Sequence, residues 1–291
     1  MTIESGCPEP PEALAGRRLI ITGANTGIGL AAAEKLAARG ATVVLACRSA
    51  EKTRPVVERL GQQHPAATVR FERLDLGSPA SIRACAARLL AAGEPIDALI
   101  NNAGVSGLTG LTEAGVEMTV GVNYVGHAML TDALLPLLKA APQGRIVNVT
   151  SRAHEILRRV PWRRLERPCP RVLTFQMYAL SKLFNIIHAR VLAGELRGSR
   201  VTAVAVHPGA VASDIWRRLP EGMRRLTTRR MIGTAEGAAP SVYCATAPEL
   251  ASTTGAYFNR CREEQPGPLA ADPEVAARLT EWTARVTAGA R

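Results

Sequence analysis

The sequence predicts a single α/β domain built on a doubly wound parallel sheet with helices on both faces. Short apolar runs typical of buried strands alternate along the chain with segments of helical periodicity. This alternation favours βαβ units over hairpins. The 291 residues contain no internal repeat and no linker-like stretch, which favours one domain. We therefore expect a domain at residues 17–291, preceded by a tail at residues 1–16.

The alternation predicts about seven strands. Apolar runs indicate strands at 19–21, 42–46, 69–74, 96–100, 145–150, 201–206 and 255–258. Helical periodicity indicates helices from the first glycine turn to 39 and at 50–60, 78–92, 111–140, 178–192, 234–246 and 273–288. Two arginine-rich segments interrupted by proline, 152–177 and 213–233, are expected to form loops over the functional site.

The composition favours a soluble protein with an aliphatic core. Hydrophobic residues make up 47% of the chain but aromatic residues only 4%, so Leu, Val, Ile and Ala must fill the core. Residues 1–16 contain acidic residues and prolines but no apolar run, and no later segment reaches the length of a membrane span. We therefore expect a cytoplasmic protein without an integral membrane segment.

The six cysteines show no local pairing pattern. They are scattered and form no C-x-x-C pair, lying at Cys7, Cys47, Cys85, Cys169, Cys244 and Cys261. This arrangement favours free thiols in a reducing compartment over a disulfide framework. Because no metal-ligand spacing is present either, we expect no metal site.

A glycine-rich turn follows the first predicted strand and opens an alanine-rich helix. Its three glycines have the spacing G-x-x-x-G-x-G. Backbone N–H groups at such a helix N-terminus bind phosphate well. Many glycine turns bind nothing, but the flanking strand and helix favour a nucleotide cradle here. The cradle residues are Gly23, Asn25, Thr26, Gly27, Ile28 and Gly29.

The end of the second predicted strand indicates which nucleotide is bound. Sites for NAD carry an acidic residue about 20 positions beyond the glycines to hold the ribose 2′-hydroxyl. This region holds Cys47 and Arg48 instead. A guanidinium binds a 2′-phosphate well, so Arg48 favours NADP(H) over NAD. The alternative is a solvated arginine at a strand end.

Tyr178 and Lys182 lie four residues apart at the start of a predicted helix. Residues at this spacing share one helix face. A nearby cation favours phenolate, and lowering the tyrosine pKa by roughly 3 units takes about 4 kcal/mol. Tyr178 would then serve as an acid or base near neutral pH. The same spacing also occurs by chance on many helices.

Taken together, these motifs resemble the short-chain dehydrogenase/reductase family over about residues 16–288. Its motifs stand here as the glycine turn with Thr22, Asp75-Leu76, Asn101-Asn102-Ala103-Gly104, Asn123, Ser151, Tyr178-x-x-x-Lys182 and Pro208-Gly209. Three further stretches look most like the retinol dehydrogenase-like branch, which favours NADP. They are Ala46-Cys47-Arg48-Ser49, Val206-His207-Pro208-Gly209 and Gly255-Ala256-Tyr257-Phe258.

The resemblance implies a Rossmann-type fold and hydride transfer between a nicotinamide and a small carbonyl or alcohol substrate. Tyr178 would exchange the proton, Ser151 would polarise the substrate oxygen, and Lys182 would hold the nicotinamide ribose. Asn123 would anchor a water that relays protons to Lys182. A homo-oligomer is one arrangement compatible with the sequence, which does not give the oligomeric state. The further cofactor-lining residues are Asp75, Leu76, Asn102, Ala103, Gly104, Pro208, Gly209 and Val211.

Two departures from the family and two other functions bear on this interpretation. Ala128 stands where relatives commonly carry an aromatic residue, which either enlarges a pocket or repacks the core. We expect the protein to lack the membrane-anchoring N-terminal segment of many animal retinol dehydrogenases, which argues against a retinoid substrate. A catalytically idle NADP(H)-sensing regulator is the alternative function. Nucleic-acid binding is suggested by charge alone, without a recognisable module, so we expect none.

The net charge of +11 is concentrated in the two predicted loops. Residues 152–171 hold seven Arg against two Glu, and residues 213–232 hold six Arg against one Asp and one Glu. Such clusters beside a cleft attract anions. We therefore expect an anionic substrate, or one presented by an acidic carrier protein or an anionic membrane surface. The alternative is that these arginines only form a solvated surface.

Overall fold

A mostly parallel sheet of eight strands forms the centre of the molecule. The computed structural model describes residues 7–8, 13–211 and 231–289. The neighbour order is β3-β2-β1-β4-β5-β6-β7-β8, and only the β7–β8 pair is antiparallel. In chain order the strands are β1 (Arg18–Thr22), β2 (Thr42–Cys47), β3 (Thr68–Arg73), β4 (Ala98–Asn101), β5 (Gly144–Val149), β6 (Val201–His207), β7 (Tyr257–Asn259) and β8 (Arg262–Glu264).

The predicted doubly wound sheet is confirmed, with one strand more than expected. Strand β8 has the sequence Arg-Glu-Glu and is fully exposed. It therefore lacks the apolar pattern that predicts a strand, and only its pairing with β7 defines it. The helices are α1 (Gly27–Ala37), α2 (Ala50–Gln63), α3 (Pro79–Ala92), α4 (Met118–Val120), α5 (Gly126–Ala140), α6 (Thr174–Glu195), α7 (Thr234–Thr246), α8 (Pro268–Ala271) and α9 (Pro273–Ala288).

The prediction of one long helix over 111–140 is wrong. Residues 111–117 form a loop closed by a bridge between Leu111 and Glu117, in which Gly115 has a φ of 71°. The Glu117 carboxylate then accepts the backbone N–H groups of Thr119 and Val120 and starts α4. A π-helical turn at Gly121–Val125 separates α4 from α5. Positive φ at a glycine and a side-chain cap both break helix continuity.

The first predicted loop is more ordered than its sequence indicates. It contains three 3₁₀ turns, at Arg152–Ile156, Trp162–Arg164 and Arg171–Leu173. Leu165 is fully buried, and its carbonyl accepts the N–H of Glu117 at 2.7 Å. The segment is thus packed against the loop that precedes α4. The second predicted loop, 213–233, lies outside the described residues except for 231–233.

The prediction that all six cysteines are free thiols is wrong. Cys7 and Cys261 form a disulfide with a Cα–Cα distance of 5.2 Å. Cys261 lies in the turn between β7 and β8, so the bond ties the N-terminal segment to this edge of the sheet. The partners are 254 residues apart, a separation that carries no spacing signal. The other four cysteines are buried and free.

Over the described ranges, every helix is too short or too polar to cross a bilayer. The same ranges hold no cluster of three or more His, Cys, Asp or Glu side chains that could ligate a metal.

Reduction of the Cys7–Cys261 disulfide should lower the free energy of unfolding by about 2–4 kcal/mol, because the bond restricts the unfolded chain. Urea unfolding with and without reductant measures this difference. The Cys7→Ser variant should show the same loss and no longer respond to reductant. Thiol titration of the denatured, unreduced protein should find the four free cysteines; two additional reactive thiols would contradict the disulfide.

Candidate active site

A cavity of about 940 Å³ opens at the edge where the parallel strands end. In a doubly wound sheet, ligands bind at this edge, where the strand order reverses; here the reversal lies between β1 and β4. All predicted site residues except Asn123 line this cavity. They are Gly23, Asn25, Thr26, Gly27, Ile28, Gly29, Arg48, Asp75, Leu76, Asn102, Ala103, Gly104, Ser151, Tyr178, Lys182, Pro208, Gly209 and Val211.

The glycine turn forms a shallow cradle at the start of α1. Gly23 and Gly27 have φ values of 66° and 61°, a conformation that costs glycine little. No acidic residue lies in the first turn of α1, so its N-terminus presents a positive dipole end to the cavity. A side chain at position 29 would collide with the Asn102 amide, because a Cβ on Gly29 would lie 2.5 Å from Asn102 Nδ2. The cradle therefore fits the pyrophosphate of a dinucleotide.

Hydrogen bonds from Thr22 hold the loop after β4 against this cradle. The Thr22 hydroxyl accepts the backbone N–H groups of Asn102 and Ala103, each at 2.9 Å. The Asn102 amide donates in return to the Thr22 carbonyl at 2.8 Å. Two walls of the cavity are thus fixed to each other by the end of β1.

Ser151, Tyr178 and Lys182 meet on the opposite wall of the cavity. Strand β5 delivers Ser151 at its C-terminal end, and α6 places Tyr178 and Lys182 one turn apart. The Ser151 hydroxyl lies close enough to Tyr178 to lower its pKa. Lys182 Nζ lies 5.7 Å from the centroid of the Tyr178 ring and donates to the Val149 carbonyl at 2.9 Å. The three side chains predicted from sequence therefore form one cluster.

The electrostatics of this cluster differ from the sequence-based expectation. Burial raises the pKa of Tyr178 to about 12, and the hydrogen bond with Ser151 lowers it only in part. Burial also lowers the pKa of Lys182 to about 8. Desolvation of the phenolate is the largest cause of the Tyr178 shift, and it opposes the lowering expected from Lys182. The Tyr178 phenol is therefore protonated at neutral pH.

Asn123 lies behind the cavity wall. Its side chain is fully buried and forms two hydrogen bonds with the backbone of Val105, through Oδ1 at 2.8 Å and Nδ2 at 3.0 Å. Nδ2 also donates to the Ser181 hydroxyl at 3.0 Å, and Ser181 donates to the Tyr178 carbonyl at 2.8 Å. Asn123 therefore links the loop after β4 to the helix that carries Tyr178.

Asn123 also lies in the π-helical turn Gly121–Val125, which sequence reasoning missed. Such turns often occur at functional sites. The sequence feature that could have indicated this turn is the pair of glycines at its two ends. A Cβ on Gly121 would overlap Thr112, and a Cβ on Gly126 would overlap the Leu76 carbonyl. The helix can approach the neighbouring loops this closely only where side chains are absent.

Apolar side chains on the cavity wall were also missed. They belong to loops and helix ends, where no periodic pattern marks them, and they are Val105, Leu108, Leu111, Met118, Ala153 and Phe175. Phe175 stacks on Tyr178 with the ring centroids 6.2 Å apart. Ala128, by contrast, packs in the core against the helices and does not line the cavity.

The fold and this cavity first define a class, the doubly wound dinucleotide-binding proteins. Residues 17–162 match the model of the short chain dehydrogenase family. Mouse retinol dehydrogenase 13 is 38% identical over an alignment of 291 residues, which covers 96% of this chain and 86% of that protein. The chain therefore belongs to the short-chain dehydrogenase family, and within it resembles the retinol dehydrogenases.

Solved structures share the fold. An uncharacterized protein from Mycobacterium paratuberculosis superposes with a TM-score of 0.75 at 28% identity, covering 98% of this chain and 97% of its own. A short chain dehydrogenase from Shigella flexneri, solved in complex with NADP, gives a TM-score of 0.68 at 24% identity. This second match covers 86% of this chain and 99% of the other.

Proposed function

We propose that the protein is an NADP(H)-dependent oxidoreductase that transfers a hydride between nicotinamide and the carbonyl or alcohol carbon of a small organic molecule. The observation that carries this proposal is the cluster of Ser151, Tyr178 and Lys182 on one wall of a cavity whose other wall is a phosphate cradle. Membership of the short-chain dehydrogenase family supports the reaction class.

In the proposed mechanism, the bound nicotinamide supplies or accepts the hydride. Ser151 donates a hydrogen bond to the substrate oxygen, and Tyr178 passes a proton to or from that oxygen. With its pKa raised to about 12, the phenol holds a proton at neutral pH that it can pass to a carbonyl oxygen. Lys182 holds the nicotinamide ribose. Asn123 positions the wall behind the cluster through Val105 and Ser181.

The Tyr178→Phe variant should bind NADPH almost normally but lose more than nine-tenths of kcat, because it removes only the proton donor. NADPH consumption over a panel of aldehydes and ketones measures the loss. Lys182→Ala should weaken both binding and rate. Tyr243→Phe, which changes a tyrosine on α7 away from the cavity, is the matched control and should keep activity.

Two outcomes of this experiment would change the assignment. Retention of a tenth or more of kcat by Tyr178→Phe would contradict the role of Tyr178. Tight NADPH binding by the unmodified protein, without turnover of any substrate on the panel, would favour the regulatory alternative.

The preference for NADP(H) is assigned to Arg48. Arg48 is exposed at the end of β2 and lines the cavity. Among the described residues it has no ion pair with a carboxylate, so its guanidinium is available to a 2′-phosphate. The short chain dehydrogenase from Shigella flexneri that was solved with NADP has the same fold. The lack of an acidic residue at this position further supports NADP(H).

Arg48→Ala should weaken NADPH binding about ten- to a hundredfold, because a charged contact to phosphate contributes about 1.5–3 kcal/mol. NADH binding should change little. Fluorescence titration with both cofactors gives the ratio, and Arg54→Ala on α2 is the control for losing an exposed arginine. An unchanged NADPH/NADH ratio would show that another residue recognises the 2′-phosphate.

The arginine-rich segment 152–171 bears on the partner of the enzyme. All seven of its arginines are exposed. Glu155 pairs with Arg152, and Glu166 pairs with Arg285, so both acidic residues of the segment are already neutralised. Within the described part of the chain, the remaining six arginines have no acidic partner. They are Arg158, Arg159, Arg163, Arg164, Arg167 and Arg171.

Of the seven arginines in this segment only Arg152 lines the cavity, and the other six lie outside it. A small anionic substrate inside the cavity would not reach them. Exposed apolar side chains lie in and beside the segment, with Val172 88%, Ile156 53% and Phe175 46% exposed. This mixture supports an acidic carrier protein or an anionic surface as the source of substrate. The second arginine group, at 217–230, lies outside the described residues.

With the true substrate, kcat/KM should fall as salt rises, because screening weakens long-range attraction. Reversing Arg158 and Arg159 to Glu should flatten this dependence. The matched control reverses Arg197 and Arg200, two exposed arginines after α6 at the opposite end of the sheet. Salt-independent efficiency, or an equal effect of both double variants, would assign the segment to a solvated surface.

A further inference from the structure

We propose that His127, on α5 behind the cavity wall, is a positioning residue that couples the cofactor cradle to the turn carrying Asn123. The inference deepens the proposed function and rests on it. Neither His127 nor its partner Thr22 lines the cavity, so both act through other residues. The His127 side chain is 1% exposed, and both of its ring nitrogens have partners.

The two ring nitrogens of His127 contact two different parts of the site. Nδ1 lies 2.9 Å from the carbonyl oxygen of Asn123. Nε2 lies 2.8 Å from the hydroxyl oxygen of Thr22 at the end of β1. One imidazole ring therefore spans the distance between the π-helical turn and the glycine cradle.

The direction of each hydrogen bond follows from the chemistry of the groups. A carbonyl oxygen only accepts, so Nδ1 carries a proton and donates to Asn123. Burial lowers the pKa of His127 to about 3, its bond to Asn123 raises it, and Lys182 and His188 lower it further. The ring is therefore neutral, and Nε2 accepts from the Thr22 hydroxyl.

This direction leaves the Thr22 oxygen free to act as an acceptor. A hydroxyl has one proton and two lone pairs. With the proton directed to His127, both lone pairs can accept the N–H groups of Asn102 and Ala103, at 2.9 Å each. Among the described residues, the only other acceptor for the Thr22 proton is the Ile100 carbonyl at 3.5 Å, a much longer contact. His127 thereby fixes the orientation of the Thr22 hydroxyl.

The second bond acts on an interrupted part of the helix. The Gly126 N–H donates to the Gly121 carbonyl, five residues back, so the regular spacing of α-helical bonds is broken in this turn. Helical side chains tilt towards the N-terminus, which brings the His127 ring over the Asn123 carbonyl one turn earlier. The imidazole supplies a donor to the residue whose side chain holds Val105 and Ser181.

The two bonds can be removed separately. Counted from Cα, the amide nitrogen of asparagine is at the same position in the side chain as Nδ1 of histidine. The amide oxygen of glutamine is at the same position as Nε2 of histidine. His127→Asn therefore retains the donor to Asn123 and loses the contact with Thr22. His127→Gln retains an acceptor for Thr22 and loses the donor to Asn123. His127→Leu loses both.

We expect His127→Asn to weaken NADPH binding about tenfold with kcat largely kept, because loss of a buried hydrogen-bond partner commonly has an effect of this size. His127→Gln should lower kcat about tenfold with NADPH affinity largely kept. His127→Leu should show both defects. His188→Leu is the matched control, a second buried histidine, on α6, that bonds Asn148; it should lower stability without either specific defect.

Two further measurements separate this role from a purely structural one. The double variant Thr22→Val/His127→Asn should bind NADPH no more weakly than whichever single variant has the lower NADPH affinity, since both substitutions remove the same hydrogen bond. Nitrogen-15 NMR of the histidines should show the signals of a neutral ring that is protonated at Nδ1 and unprotonated at Nε2. These signals should be absent from the spectrum of His127→Gln. This spectrum does not depend on turnover, so it tests His127 even if the proposed function fails.

Three results would overturn the proposal. The first is a His127→Leu variant whose NADPH affinity and kcat stay within twofold of the unmodified protein. The second is an identical profile for the Asn, Gln and Leu variants, which would show that the two bonds do not act separately. The third is a His127 ring protonated at Nε2. A wild-type protein that binds no NADPH would instead overturn the proposed function.

Discussion

The site depends on one constraint, that β1 and β4 end side by side where the strand order reverses. Ile21 of β1 pairs with Ile100 of β4, one residue before each strand ends. The Thr22 hydroxyl then accepts two N–H groups from the loop after β4. Because the strands are buried and their register is set by apolar packing, the glycine cradle and the Asn102 loop have one relative position.

Burial shifts the pKa values of the two ionisable groups on the other wall in opposite directions. Lys182 is only 3% exposed and has a lowered pKa, while Tyr178 has a raised one. Both shifts have desolvation as their largest cause, since removing water disfavours the charged form of either group. The protein's own groups therefore favour a neutral phenol with a proton to donate. This agrees with the proposed role of Tyr178 in carbonyl reduction.

The last strands connect the cavity to the N-terminal segment. A Cβ on Gly209 would lie 3.0 Å from Ile232 and 3.5 Å from Arg260, so the loop after β6 approaches the β7–β8 turn closely. Cys261 in that turn forms the disulfide with Cys7. The segment that precedes β1 is thereby bonded to a turn that borders the site, although 254 residues separate the two cysteines.

The sequence by itself determined the parallel sheet and the residues at its C-terminal edge, because apolar periodicity and glycine spacing are local properties. Ser151, Tyr178 and the glycine turn could be assigned to one edge before their distances were known. Tertiary structure decided the break in the predicted helix, the strand β8 and the disulfide. It also decided the sign of the Tyr178 pKa shift. The disulfide joins residues 254 positions apart and the pKa shift arises from desolvation in the folded protein, so no local pattern encodes either of them. The Glu117 cap and the β7–β8 pairing are contacts between near residues, but they depend on hydrogen bonds that apolar periodicity does not reveal.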